Sequence, residues 1–471
     1  MAELVSQSLA ALAALIQNRD VSPVEVLQAC LDRSDNLNAK LNAIVTLAPD
    51  ALKKAKDAEA AIIRGDAVGP LHGVPLTIKD TIETAGLRTT SGSLLRAEFI
   101  PKQDAPAVAR LKAAGAIILG KTNCAEMAMD YTGENPVFGR ASNPYNPALT
   151  TGGSSGGEAA AIASCISPGG IGSDLAGSIR IPAHFCGIVG LKPTVGRVPG
   201  AGQFPPSTGP YSLGAAIGPM ARGISDLNLL FNVLAGVARS ADRTAENSRP
   251  SLKGCRVAYY TDDGVAPVSE ETRRAVETAA RGLRDAGLLT EEIRPPGIER
   301  GHDLWLKLFS RASVVQLRNV YAGQEEKGGE FVRWRLATAD DKPAPSLDEY
   351  ISSWLERDRL RAALVEWMEE TPLIVAPVGA TPAYSHDTQK VIVGEHVMST
   401  FRAFSYSQTF NVFDLPVVVV PAGRTSEGLP IGVQIVGRPF AEETVLAAAA
   451  IIEDALGGWQ APPALQAEPR P

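Results

Sequence analysis

Residues 151–194 read TGGSSGGEAAAIASCISPGGIGSDLAGSIRIPAHFCGIVGLKPT, and no other segment constrains the chain as much. Glycine and serine crowd together twice, at 152–157 and at 169–178, around a run of small residues. Glycines at this density let backbone approach a ligand closely and turn its amides inward. Serines among such amides are candidates for nucleophiles or anion ligands. A flexible linker is also rich in glycine and serine, but it carries no apolar framework. Here Ala161, Ile162, Ile171, Leu175, Ile179 and Ile181 are interleaved, so the segment reads as buried, shaped backbone.

The chain around it has 471 residues, 45% hydrophobic, enough for one large α/β domain with a sizeable core. The net charge of −7 comes without a basic, aromatic-bearing stretch, which argues against nucleic acid as a partner. Five cysteines show no CxxC spacing and read as reduced thiols. Five histidines form no HxxxH or HxH pair, so metal binding is not expected. The apolar stretch at 9–16 is too short for a membrane span, and Glu3 stands where a signal peptide needs a basic residue. The expectation is a surface helix there, no membrane partner and a cytoplasmic location.

The pattern predicts helices over 1–65, with Ser22-Pro23 as a start signal, and a strand over 71–78 ending at Lys79-Asp80. Asp104 is expected to cap a helix over 105–114, followed by a strand at 116–119. Further helices are expected at 158–164, 225–234, 269–286 and 441–456, with most of 300–370 helical. Strands are expected at 254–260, 291–293, 373–378, 417–421 and 431–436. Helix–strand alternation without a clear linker predicts a single large α/β domain. Its central sheet is expected to be mixed, mostly parallel and twisted, flanked by helices on both faces. The domain spans 1–458, with a helical segment 1–65, a core 70–236 and a C-terminal part 250–458, before a Pro-rich tail at 459–471.

A serine nucleophile needs a base and donors for the oxyanion. His184 is the one histidine in the Gly/Ser region, and its apolar setting reads as core packing. Lys79 ends an apolar strand, where burial would lower its pKa and free its lone pair. Pairing of Lys79 with Asp80 at the strand end accounts for the same residues equally well.

Four motifs in order, GVPLTIKD at 73–80, GGSSGG at 152–157, GSDLAGSIR at 172–180 and CGIVGLKPT at 186–194, resemble the amidase signature family. KTN at 121–123, GEN at 133–135, Asn143-Pro144, GPMAR at 218–222 and GLPIGVQI at 428–435 extend the resemblance over roughly 70–440. The resemblance implies an amidohydrolase with a Ser–cis-Ser–Lys triad that requires no metal or organic cofactor. Matched by motif, Ser178 is the nucleophile, Ser154 the bridging serine and Lys79 the base. The backbone amides of Leu175, Ala176, Gly177 and Ser178 would hold the oxyanion. Ser155 would hydrogen-bond near Ser154 and Lys79, and Asp174 and Arg180 would hold the loop that presents Ser178, although turn and ion-pair chemistry explains Arg180 equally well. One departure lies at Ala176, where the family commonly has glycine. It matters only if that position needs a positive φ.

The resemblance also raises the glutaminase component of a tRNA-dependent amidotransferase as an alternative. The pattern of that component carries an acid before GPMAR, whereas SLGAAIGP at 212–219 has none. A pocket for a neutral, apolar or aryl amide, carbamate or ester is therefore expected. Met129, Asp130, Phe204, Tyr211, Phe404 and Tyr406 are its candidate lining, and residues 198–216 a candidate lid. A homodimer is the expected assembly on the family resemblance alone.

Overall fold

Ser22 caps the helix Pro23–Leu41 through a capping box with Glu25, and Pro23 occupies the first turn, as the sequence signal implies. The computed structural model describes residues 2–237, 250–341 and 343–463, so most of the Pro-rich tail lies outside the described residues. Eleven strands form one sheet: β1 (Ile44–Leu47), β2 (Pro75–Lys79), β3 (Ile117–Thr122), β4 (Gly169–Asp174), β5 (Val189–Lys192), β6 (Ala216–Ala221), β7 (Arg256–Tyr259), β8 (Leu289–Glu292), β9 (Leu373–Pro377), β10 (Val417–Arg424) and β11 (Pro430–Gly437). Their order across the sheet is β1-β3-β2-β4-β6-β5-β10-β11-β9-β7-β8.

The α/β class, the single domain and the mixed sheet agree with expectation, but the sheet is mostly antiparallel. Of ten neighbour pairings, β2/β3, β2/β4, β7/β9 and β7/β8 are parallel, and the other six are antiparallel. The cause is connectivity. Parallel neighbours need a long crossover, supplied between β2 and β3 by the helix Pro106–Ala113 and between β7 and β8 by Glu270–Asp285. A short turn instead joins β10 to β11, whose pairing is antiparallel.

Both faces of the sheet are covered. In β10, Val418 and Val420 enter one core while Val417 and Val419 enter the other, the period of two that a doubly buried strand requires. Three local expectations are revised. Residues 44–47 are a strand within the region read as helical. Asp104 does not cap Pro106–Ala113; its carboxylate accepts from the Ala85 amide and pairs with Lys112. Strands β4 and β6 were not expected at all, because glycine and proline deplete them of β-formers. No helix among the described residues is long and apolar enough to cross a membrane.

Candidate active site

Strand β2, third from one edge of the sheet, delivers Lys79 between β3 and β4. The side chain is fully buried, and its Nζ lies 2.6 Å from Ser154 Oγ and 3.0 Å from Ser173 Oγ. Burial in apolar surroundings lowers the Lys79 pKa to about 8. Asp80 turns away and accepts from the amide and hydroxyl of Thr90, at 3.0 and 2.5 Å. No Lys79–Asp80 ion pair forms, so of the two sequence readings the geometry keeps the one in which Lys79 faces the serines.

The Gly153–Ser154 peptide is cis. A Cβ on Gly153 would sit 2.2 Å from the Thr132 carbonyl oxygen, so only glycine fits there. The two Gly/Ser clusters meet where the Ser155 amide donates to the Ser178 carbonyl at 3.1 Å. Ser155 Oγ does not reach Ser154 or Lys79. It lies 3.4 Å from both the amide and the carbonyl of Ser173, tying the serine pair to β4. Just downstream, Glu158 on the helix Gly156–Ala163 accepts from Thr77 on β2 at 2.5 Å and Thr122 on β3 at 2.7 Å. Burial raises the Glu158 carboxyl to about 7.

Asp174 ends β4 and organises the loop that follows. Its carboxylate accepts from the Gly177 amide at 2.9 Å, the Ile179 amide at 3.0 Å and both Nε and Nη2 of Arg180. Burial alone would raise this carboxyl, but the Arg180 guanidinium holds it well below the usual carboxylate range. Arg180 is fully buried, and also donates to Asn411 Oδ1 and Gln434 Oε1. Gly177 takes φ +106°, and a Cβ there would lie 2.7 Å from Ser407 Cβ. Ala176 is not among the residues with positive φ, so its methyl is accommodated without strain. Of the four amides expected to face an oxyanion, that of Gly177 is already committed to Asp174. Those of Leu175, Ala176 and Ser178 have no acceptor among the described residues.

Ser154, Ser173 and Ser178 open onto a cavity of about 60 Å³. Its apolar wall is made by Met127, Met129, Leu175, Tyr211, Ala215 and Ile217, and its polar groups include Gln203 and Ser207. Thus Met129 and Tyr211 lie where the sequence reading puts them. Phe204 stands just behind the wall, its ring beneath the Arg96 guanidinium, while its neighbours Gln203 and Pro205 face the cavity. Phe404 and Tyr406 are corrections: both are fully buried away from it. Phe404 packs on Phe185 and Tyr131, and the Tyr406 hydroxyl donates to the carbonyls of Thr261 and Ala266. Asp130 does not line it either; its carboxylate accepts from the Tyr131 amide and the Thr132 hydroxyl. His184 is a core residue, with Nδ1 accepting from the Gly432 amide and burial lowering its pKa to about 4. Among the described residues no group of three or more acidic, histidine or cysteine side chains could hold a metal.

A family model described as Amidase matches residues 25–446, the whole of this constellation included. The chain belongs to the amidase family. Human fatty-acid amide hydrolase 2 is 32% identical over 96% of this chain and 89% of its own length. The A subunit of glutamyl-tRNA(Gln) amidotransferase from Geobacter metallireducens is 32% identical over 93% of this chain and 95% of its own length. The crystal structure of a bacterial aryl acylamidase, an amidase signature enzyme, superposes with a TM-score of 0.86 at 25% identity, covering 98% of this chain and 99% of that one. This amidase is accordingly a hydrolase of carbon–nitrogen amide bonds.

Four residues of the site escaped the sequence reading. Ser173 gives the amidase lysine its second oxygen, and Gln203 puts an amide into the cavity wall. Asn411 and Gln434 complete the shell of Arg180. Gln434 did leave a signal, as the one amide in the apolar run of β11.

Proposed function

We propose that this amidase hydrolyses neutral amides bearing apolar or aryl groups through an acyl-enzyme on Ser178. The observation that carries the reading is the 2.6 Å approach of buried Lys79 to Ser154, beside the cavity that Ser178 lines. Neutral Lys79 takes the Ser154 proton as Ser154 takes that of Ser178. Ser178 Oγ then bonds to the substrate carbonyl carbon, and the carbonyl oxygen gains negative charge facing the Leu175, Ala176 and Ser178 amides. Return of the proton through Ser154 to the leaving nitrogen breaks the C–N bond and releases an amine. Water, deprotonated by the same relay, cleaves the acyl–Ser178 ester and frees the acid. Carbamates and esters pass through the same tetrahedral oxyanion and belong to the same proposed range.

The apolar cavity wall supports the substrate class. The one carboxylate on that wall, Asp174, is spent on Arg180 and two backbone amides, leaving no free charge for an amino-acid head group. That weighs against the glutaminase reading, which the Geobacter relative otherwise favours. The test is the purified chain against an acyl p-nitroanilide, an aryl carbamate, an aliphatic amide and glutamine, each beside Ser178→Ala. The expected result is anilide or carbamate turnover that vanishes in the variant. Turnover of glutamine alone would overturn the pocket reading.

A further inference from the structure

The loop 174–178 carries a hydrogen bond on every carbonyl, and three of those bonds come from remote side chains, the first from Asn411 Nδ2 to the Asp174 carbonyl at 3.4 Å. The indole Nε1 of Trp305 donates to the Leu175 carbonyl at 3.1 Å. The Tyr131 hydroxyl donates to the Ala176 carbonyl at 3.0 Å. A planar trans peptide points its C=O and its N–H in opposite directions, so a carbonyl held on one side fixes the next amide on the other. Holding the Leu175 carbonyl therefore aims the Ala176 amide, which has no acceptor among the described residues. Holding the Ala176 carbonyl aims the Gly177 amide at Asp174 Oδ1, 2.9 Å away. The Gly177 carbonyl accepts from the Ile181 amide at 2.7 Å, which fixes the Ser178 amide on the opposite side of that peptide, where it too has no acceptor among the described residues. Of these three amides the middle one, that of Gly177, is thus committed and the other two are open.

We infer that Trp305 and Tyr131 are positioning residues that aim the oxyanion donors of this amidase. Each is itself held. Tyr131 accepts from Gln408 Nε2 at 2.8 Å, and the same Nε2 donates to the Phe401 carbonyl at 2.8 Å. Gln408 Oε1 is then the acceptor for His302 Nδ1 at 2.6 Å, so His302 carries its proton on Nδ1. Phe401 braces both donors, its ring 4.7 Å from that of Tyr131 and 5.8 Å from that of Trp305. Both donors are buried, Trp305 at 7% exposure and Tyr131 at 2%. Neither side chain lines the cavity, so both act through the loop and not on substrate.

The inference rests on Ser178 being the nucleophile, and the experiment separates the two. Tyr131→Phe keeps the ring and removes the hydroxyl, and Trp305→Phe removes the indole N–H together with part of the ring, which the melting temperature monitors. Each is measured for kcat and KM on an acyl anilide, for Ki of an aryl trifluoromethyl ketone, whose hemiketal oxygen needs the same amides, and for melting temperature. Deleting a whole oxyanion donor costs roughly 10²–10³ in rate, so a misaimed one is expected to lower kcat about tenfold. KM should stay within about twofold, with Ki weakening by the same factor as kcat/KM. Phe401→Leu, which leaves both donors but loosens their brace, should show the same signature more weakly. Unchanged kcat, or a kcat loss with Ki unmoved, overturns the positioning role. Persisting activity in Ser178→Ala overturns the nucleophile assignment instead.

Discussion

At the scale of single residues, the candidate site places one amine where it is poorly solvated. Lys79 has lost its water and gained two hydroxyl oxygens, and burial sets its pKa near 8. If Lys79 is the base, it acts only when neutral. Activity should therefore be low below that pKa, rise through it and level off above it, which a pH profile of kcat/KM on an anilide measures. A profile flat across pH 8 would remove Lys79 from the role. This much was legible in the sequence, because an apolar strand that ends in lysine must bury the amine. The direction Lys79 faces was not legible, since Asp80 is an equally near partner along the chain. The lining aromatics misled for a related reason. Phe404 and Tyr406 are as apolar as Tyr211, and nothing in their sequence context says which ring meets the cavity and which meets Phe185 or Tyr260.

Among the elements, β4 and the loop after it carry most of the chemistry while having little strand character of their own. Gly-Gly-Ile-Gly-Ser-Asp forms a strand because its neighbours leave no room for anything larger. A Cβ on Gly170 would fall 2.0 Å from Glu158 Oε1, and one on Gly172 would fall 2.7 Å from Ser155 Oγ. Propensity points away from a strand here, and tertiary contact overrides it. At Gly177 both space and dihedral exclude a side chain. Gly177→Ala is expected to cost at least about 1 kcal/mol of stability. By displacing the neighbouring amides it should also lower kcat by roughly 10². Chemical denaturation and steady-state kinetics on the same preparation check both. Wild-type kcat in the alanine variant would mean that the loop geometry is not what the reaction uses.

Across the whole molecule, Arg180 joins pieces distant in the chain: Asp174 at the end of β4, Asn411 on the helix Ser405–Val412, and Gln434 on β11. Removing one partner of a buried ion pair typically costs about 3–5 kcal/mol, the expected loss for Arg180→Met in urea unfolding. A loss below about 1 kcal/mol would show the pair to be dispensable. His184 makes the fold acid-sensitive. Its pKa falls from 6.5 to about 4 on burial, so the unfolded chain binds the extra proton between those values. Stability contributed above pH 6.5 is lost as pH falls toward 4, by up to about 3 kcal/mol. Unfolding free energy against pH should show this slope, and His184→Asn should flatten it. The sheet itself was only half legible: helix–strand alternation identified the crossovers, but the central place of β10 and β11 depends on pairings far apart in the chain.

The Glu158 carboxyl, hidden from solvent and remote from the cavity wall, grips β2 and β3 from the helix that begins just after the serine pair. It acts as a gauge block between the proposed base and the proposed bridging serine. The wall around 203–217 shares no hydrogen bond with Lys79, Ser154 or Ser178 among the described residues. A chain built this way can exchange the wall for a new clientele while the spacing of its chemistry stays locked.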